Sequence, residues 1–481
     1  MIDNFKKKIE EKKKKYGSIV TGDKWRNSYH IMPEIGWIND PNGLCKFGDN
    51  YHIFYQYSPL DVNGGLKFWG HITTKDFVHY KQEPIFLYPD KSFDKTGVYS
   101  GSAFVKDKEM FLFYTGNVKY EGNYDYILKG REHNTIFVEY DGQNVSDKTV
   151  LFTNDDYPED VTLHVRDPKV FEYKDQYYMV LGARSKENKG LLLVYQSSNL
   201  KEWSYFRRIE GNALGYMWEC PDIIFQDGKF ITIFSPQGLQ KEKYQFQNQY
   251  QSGYIVKDEK SFFDENEIFS LEEFIELDKG FDFYAPQTFQ DDKKRTILIA
   301  WVGMPDENNH QNPTVENYWQ HQLSLPRQIE LRDGRLYQQP IEELKQLRTS
   351  QMELTHITLT EDKQQWNIIE QYAFELQLEL LADFFVIEFR DVTLQYKDNV
   401  FTLKMGKCGY GRKERRVKIE KLSHLQIFSD QSSLEIFLND GQECMTTRIY
   451  NDTLISTLQM AGSGSCRLKK YNLQAIQYDE K

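Results

Sequence analysis

Short runs of apolar and aromatic residues, each entered from a turn, recur along most of the chain. Tyr51-His52-Ile53-Phe54-Tyr55-Gln56, Met110-Phe111-Leu112-Phe113-Tyr114, Tyr177-Tyr178-Met179-Val180-Leu181 and Phe230-Ile231-Thr232-Ile233-Phe234 follow charged or turn-rich stretches such as Gly48-Asp49-Asn50 and Gln226-Asp227-Gly228-Lys229. Runs of this length and composition predict hairpin strands, and continuous helical periodicity is scarce, so the chain reads as all-β. The runs recur at roughly 55 to 65 residue intervals, close to the length of one four-stranded blade. Counted forward to Thr296-Ile297-Leu298-Ile299-Ala300 they number five. The spacing therefore predicts a five-bladed β-propeller over residues 25–338, with a large sandwich as its rival.

The texture then changes. Pro340-Ile341-Glu342-Glu343-Leu344-Lys345-Gln346-Leu347 predicts a short linking helix within a connector at 339–354. Beyond it, Phe374-Glu375-Leu376-Gln377-Leu378-Glu379-Leu380 and Leu434-Glu435-Ile436 alternate with period two, as half-buried strands do. Asp440-Gly441 after Phe437-Leu438 is a hairpin turn signal. Residues 355–481 have the size of a single β-sandwich, following the propeller at its C-terminal side. No cluster of candidate catalytic carboxylates falls in this unit, which assigns it a structural role.

Residues 1–24 form a separate charged segment. Lys6-Lys7-Lys8 and Lys12 to Lys15 surround Ile2, Phe5 and Ile9, a pattern that fits a short amphipathic helix against the body. A solvated charged helix is the favoured reading. The segment has no apolar core of the kind a secretory signal needs, and no apolar run approaches a bilayer span of roughly 18 residues. The five cysteines, Cys45, Cys220, Cys408, Cys444 and Cys466, are scattered and form no Cys-x-x-Cys pair. Neither a disulfide framework nor a zinc knuckle is expected, and the location expected is cytoplasmic. The sequons at Asn144 and Asn451 carry no weight without a secretory route. A net charge of −12 argues against nucleic acid or an anionic membrane as partner. It leaves room for a small anionic substrate, because a few local cations override the overall field.

Three acidic signatures carry the chemistry: Asn39-Asp40-Pro41-Asn42-Gly43, Arg166-Asp167-Pro168 and Trp218-Glu219-Cys220-Pro221-Asp222. Each places a carboxyl in a rigid, proline-containing segment. Glycoside hydrolysis needs one carboxylate as nucleophile or base and a second carboxyl as proton donor, about 5 Å apart when configuration is retained. Asp40, beside Asn39 and turn amides, suits the ionised partner. Glu219, flanked by Trp218 and Cys220, suits a proton donor in a less polar setting. Asp167, beside Arg166, is expected to stay ionised and to bind a sugar hydroxyl. Singly, each motif is more often a turn former, a local ion pair or a satisfied buried acid. Their joint occurrence in one strand-rich region points to a glycosidase.

The chain resembles glycoside hydrolase family 32, the invertase, fructanase and sucrose-6-phosphate hydrolase family. The likeness rests on Trp37-Ile38-Asn39-Asp40-Pro41-Asn42-Gly43, Phe54-Tyr55-Gln56, Phe68-Trp69-Gly70-His71, Tyr99-Ser100-Gly101-Ser102-Ala103, Arg166-Asp167-Pro168 and Glu219-Cys220-Pro221. It continues through Phe283-Tyr284-Ala285-Pro286-Gln287, Trp301, Leu325-Pro326-Arg327 and Glu435-Ile436-Phe437-Leu438-Asn439-Asp440-Gly441. The resemblance implies a five-bladed propeller with a C-terminal β-sandwich, and retaining cleavage of a β-fructofuranosyl bond. It implies Asp40 as nucleophile, Glu219 as acid/base and Asp167 as transition-state stabiliser. Asn39, Gln56, Ser100 and Arg166 would line the fructose site, with Trp69, Tyr99, Tyr284 and Trp301 around it. Many members carry a Trp eight positions after the Gln matched by Gln56; here Gly64-Gly65 stands there, leaving the apolar wall to Leu66 or Phe68 or the pocket more open.

Tyr114-Thr115-Gly116-Asn117-Val118-Lys119, Tyr216 to Asp222 and Ser235-Pro236-Gln237-Gly238 resemble the branch that acts on sucrose 6-phosphate. Phosphate on the glucose unit needs cations at the pocket rim, for which Lys119, Lys129, Arg131 and Arg184 are candidates. The expected partner is thus a small sugar, met by a monomer or homodimer, with no cofactor and no catalytic metal. The alternatives are a fructan exo-hydrolase, an inverting glycosidase with more widely spaced acids, and a fructoside-binding protein on the same fold.

Overall fold

The computed structural model describes residues 1–479. Five separate sheets follow one another between Gly36 and Pro340, each built mostly from consecutive antiparallel strands. The first comprises Gly36–Phe47, Asn50–Ser58, Phe68–Thr74 and His79–Gln82, with Trp319–Gln320 and Gln477–Tyr478 added in parallel at its two edges. The second runs Val98–Lys106, Glu109–Lys119, Arg131–Tyr140 and Thr149–Phe152. The third holds Val161–Tyr173, Gln176–Ser185, Gly190–Ser197 and Ser204–Asn212, extended by Ile268–Ser270. The fourth begins with Met217–Gln226 and Lys229–Gln237, and the fifth with Tyr284–Gln290 and Thr296–Trp301. The opening strands of the five sheets touch in a closed cycle, first to second and onward until fifth meets first, a propeller-like arrangement. The strands read from the sequence are buried on both faces, as in Phe230–Phe234, because sheet packs on sheet.

The C-terminal unit differs from a simple two-sheet stack: it is one continuous ten-stranded sheet curled around a single apolar core. Phe374–Phe389 is the reason. Its first half pairs with His424–Ser429 and its second half with Val392–Lys397, while Thr457–Leu473 follows it throughout across a bulge between Ala382 and Phe384. A long strand bent at a bulge passes from one layer to the other without a break in hydrogen bonding. The predicted linking helix is a 3₁₀ turn over Glu342–Leu347.

The N-terminal helix Ile2–Thr21 is docked, not freely solvated. Ile9 and Val20 are buried, Phe5 sets its edge to Phe68 at 5.3 Å, and Tyr16 stacks on Tyr318 at 3.8 Å. Positions 2, 5, 9, 16 and 20 fall on one helical face, which the lysines hid from a reading by charge. Among the described residues the five cysteines are free, and no helix is long and apolar enough to cross a membrane.

Candidate active site

All five opening strands break register at one level, where the motifs lie. The breaks fall between Ile38 and Pro41, between Val98 and Gly101, around Asp167-Pro168, between Glu219 and Asp222, and between Tyr284 and Gln287. Four of the five contain a proline, which has no N–H to give the ladder. Asp167, Cys220 and Ala285, each directly before its proline, have φ of 62°, 47° and 51°. Non-glycine residues in that region are strained, and the strain turns neighbouring side chains out of the pleat toward the centre. The result is a cavity of about 810 Å³ at the hub, walled by residues from all five sheets. A larger hollow of about 1050 Å³ on the sandwich, around Arg390 and Asp391, lies in a unit where none of the three carboxyl motifs falls.

Asp40 Oδ2 accepts from Ser100 Oγ at 2.6 Å, and its Oδ1 from Asn39 Nδ2 at 3.1 Å. Asn39 is itself held by the Trp37 indole N–H at 2.8 Å. Burial pushes the Asp40 carboxyl up, against the pull of those two donors. Glu219 Oε1 accepts from Arg166 Nε at 3.1 Å and from its terminal nitrogen at 2.6 Å. Glu219 Oε2 accepts from Gln237 Nε2 at 2.7 Å and from the Tyr284 hydroxyl at 2.6 Å. Asp167 accepts the Cys220 N–H at 2.9 Å, and the Cys220 thiol lies 3.8 Å from Asp40 and 3.6 Å from Asp167. The three carboxyls expected from sequence thus share one cavity.

Several expectations need correction. Arg166 grips Glu219 and stands 4.0 Å from Asp167, so it is not primarily the partner of its chain neighbour. Burial raises Asp167 to about 7, only partly offset by Arg166 and reinforced by the charge of Glu219, so it is not simply held ionised. The surroundings of Glu219 are polar: Trp218 points away into an apolar cluster, its N–H bound to Leu214 O. Trp69 is fully buried, packs in the core and donates to Tyr99 O at 3.0 Å; it does not line the cavity. Asn39, Gln56, Tyr99, Ser100, Arg166, Tyr284 and Trp301 do line it. Leu66 and Phe68 do not supply the missing wall; Trp37, Gly64 and Lys67 do. A Cβ on Gly64 would meet Trp37 at 3.0 Å and Lys67 Nζ at 3.2 Å, so this packing leaves no room for an indole there.

Lys67, His133, His164 and Gln237 also line the cavity, and the motifs did not single them out. Burial lowers Lys67 to about 7 although Asp40 and Asp61 act against it. Burial, with Arg166 and Arg131 beside it, lowers His164 to about 2, so its ring is neutral. Gln237 stood in the Ser235-Pro236-Gln237-Gly238 segment that carries part of the resemblance, with no role of its own assigned. Of the four candidate phosphate ligands, Arg131 alone reaches the cavity wall; Arg184 is tied to Asn188 and stacks on Tyr216. Among the described residues no cluster of side chains suits a metal ion.

Residues 30–340 match the model of the glycosyl hydrolases family 32 N-terminal domain, and residues 343–475 that of the family 32 C terminal. The chain is 38% identical over 459 residues to a sucrose-6-phosphate hydrolase of Bacillus subtilis, covering 93% of both proteins. It is 37% identical to the Vibrio alginolyticus sucrose-6-phosphate hydrolase, over 90% of this chain and 88% of that one. The solved sucrose-6-phosphate hydrolase of Lactobacillus gasseri superposes with a TM-score of 0.85 at 28% identity, covering 97% of each chain. A Bombyx mori beta-fructofuranosidase mutant in complex with sucrose gives a TM-score of 0.84 at 26% identity over the whole of both chains. This chain belongs to glycosyl hydrolase family 32.

Proposed function

We propose that this enzyme cleaves the β-fructofuranosyl bond of sucrose 6-phosphate, and of sucrose, with retention of configuration. The observation that carries the reading is that Asp40, Asp167 and Glu219, from three different sheets, converge on one cavity, with Asp40 held by neutral donors and Glu219 oriented by Arg166, Gln237 and Tyr284. In this reading the Asp40 carboxylate attacks the anomeric carbon of the fructosyl unit. Glu219 gives its proton to the departing glycosidic oxygen, so the glucosyl unit leaves as an alcohol. Glu219, now ionised, takes a proton from water, whose oxygen displaces Asp40 and releases fructose. Asp167 contributes hydrogen bonds to fructosyl hydroxyls, which strengthen as charge develops at the anomeric carbon.

The closed cycle of five opening strands supports a five-bladed propeller as the catalytic unit at residues 25–338, with the sandwich at 355–481 bracing it. The phosphorylated substrate draws support from the relatives' names and from the cations described below. An enzyme of this substrate class works in the cytoplasm, where an imported sugar phosphate is met. The test compares kcat/KM on sucrose 6-phosphate, sucrose and a short inulin, with the anomer of first-released fructofuranose read by NMR. Fructose released first as the β anomer from the sucrose substrates is the expected result. Release as the α anomer would assign an inverting mechanism, and binding of sucrose without turnover would make this a fructoside-binding protein.

A further inference from the structure

A row of basic groups leads outward from the reaction centre along the third and second sheets. Arg166, which holds Glu219, also places a terminal nitrogen 2.7 Å from His164 Nδ1. The same imidazole meets Arg131 at 3.2 and 3.3 Å. Arg131 in turn stands directly across the strand pair from Lys119. Cross-strand partners share a face, and like charges placed so are destabilising. Among the described residues, neither Arg131 nor Lys119 has a carboxylate within ion-pair distance. Nearby acids are otherwise engaged: Asp125 caps the turn at Ile127 and Leu128, and Glu132 faces the other side of its strand, bound by Asn134 and Tyr120. Two buried polar atoms on this wall are also unsatisfied, Nε of Arg131 and Nδ1 of His133, which is itself 1% exposed. An unpartnered guanidinium nitrogen on the cavity wall, with Lys119 unneutralised at the exposed end of the neighbouring strand, is costly to keep unless an anion completes it, while His133 Nδ1, whose ring gives its N–H to Asn117 Oδ1, is left to accept from a sugar hydroxyl. The acids Asp306 and Glu307 that also line the cavity come from the segment after Thr296–Trp301 of the fifth sheet, not from the second-sheet strand that carries Arg131.

The geometry points to Arg131, with Lys119 beside it, as the binding site for a phosphate monoester on the leaving sugar of the substrate. This rests on the fructosidase reading above and names the contact that would give it a phosphorylated substrate. The leaving sugar must lie against Glu219, the proton donor, and the row from Arg166 to Arg131 starts at that residue. Arginine offers a planar fork of donors to phosphate oxygens, and the free Nε is one edge of that fork. Lys119 adds a second charge from the exposed rim, where burial and Arg131 already depress its pKa, so an arriving dianion relieves both. Lys129 and Arg184 are left outside the site.

The experiment measures kcat/KM on sucrose 6-phosphate and sucrose for the whole protein and for Arg131→Gln, Arg131→Lys and Lys119→Gln. In parallel, sucrose hydrolysis is inhibited with glucose 6-phosphate, glucose and inorganic phosphate. The native enzyme is expected to favour the phosphorylated sugar at least tenfold, and to bind glucose 6-phosphate more tightly than either glucose or inorganic phosphate. Arg131→Gln should lower the preference about tenfold, Lys119→Gln by about threefold, and Arg131→Lys should restore part of it. Lys119 is exposed, so its variant stays informative if the Arg131 variants fold poorly. An unchanged preference in folded variants would overturn the site, as would inhibition by inorganic phosphate equal to that by glucose 6-phosphate. Fructose release from sucrose with no phosphate preference would sink the site and spare the glycosidase reading. No release from either sugar would sink that reading, and calorimetric binding of glucose 6-phosphate would then decide the site by itself.

Discussion

At the scale of single residues, what separates Asp40 from Glu219 is the set of atoms around each oxygen. Ser100 and Asn39 give Asp40 two neutral donors, so its charge is supported without being locked in an ion pair. Arg166, Gln237 and Tyr284 give Glu219 three contacts that fix its direction. Asp40→Ala and Glu219→Ala should each lower kcat by several orders of magnitude, and Glu219→Ala should also lower Tm, because it leaves the buried Arg166 guanidinium without its carboxylate. Near-normal turnover by either variant would overturn its assigned role. Asp167 tests a different balance. Its pKa is raised from the ordinary carboxylate value to about 7, so the folded state holds its proton more tightly than the unfolded chain does. The charged form therefore costs stability, increasingly as pH rises from about 4 to about 7, and that cost persists above. Asp167→Asn should accordingly raise Tm by roughly 2 °C or more at pH 8, with the gain vanishing near pH 4, while activity is lost. A lower Tm at pH 8 would show that the contacts of Asp167 outweigh its burial.

Among the elements, the opening strands and the N-terminal helix show what a sequence reveals and what it hides. The prolines at 41, 168, 221 and 286 were visible as motifs because a missing N–H has the same consequence in any strand. The five hairpin runs were visible because local pattern decides them. Trp69 was misplaced because Phe68-Trp69-Gly70 does not say which face of its strand meets the cavity, and the ring packs inward against Phe54 and Tyr114. Lys67, His133 and His164 join the site only through long-range register, which no local spacing encodes, and the same register decides that Arg131, of the four cations named from the sequence, is the one at the cavity wall. The helix Ile2–Thr21 was misread because its lysines outnumber its apolar face. Its docking has a functional edge. Tyr16 stacks on Tyr318, whose hydroxyl donates to Leu60 O at 2.8 Å, and Phe5 packs on Phe68, next to Lys67. The helix thus braces the segment from Leu60 to Phe68 that forms one cavity wall, without touching the carboxyls. A Phe5→Ala, Tyr16→Ala double variant should raise KM several-fold and leave kcat within about twofold, because the wall loosens while the reacting groups stay. A selective fall in kcat would place the helix in the chemistry instead.

Across the whole molecule, the two units are joined by buried charge. Arg327 reaches Glu435 at 2.6 Å and Asp278 at 3.2 Å, and Arg412 reaches Asp282 at 2.6 Å, all with almost no solvent contact. His30 completes the seam, with Nδ1 2.8 Å from Asp430 and Nε2 3.0 Å from Glu435. Such pairs contribute little net stability over an apolar seam, but breaking one leaves an uncompensated buried charge. Burial alone would push the His30 ring down; Asp430 and Glu435 more than offset this and hold it up to about 9. The folded protein therefore keeps a proton that the unfolded chain releases near pH 6.5. The stabilisation is complete below about pH 6.5 and is lost as pH climbs through 9. Tm should decline over that window, and His30→Gln should start lower and show a flatter profile, since it removes the titrating group. If the variant kept the native slope, other groups would set the alkaline limit. If the seam opened before the propeller, differential scanning calorimetry at pH 9 would resolve two transitions where pH 6 gives one, because weakening the charges that join the units lets each melt at its own temperature.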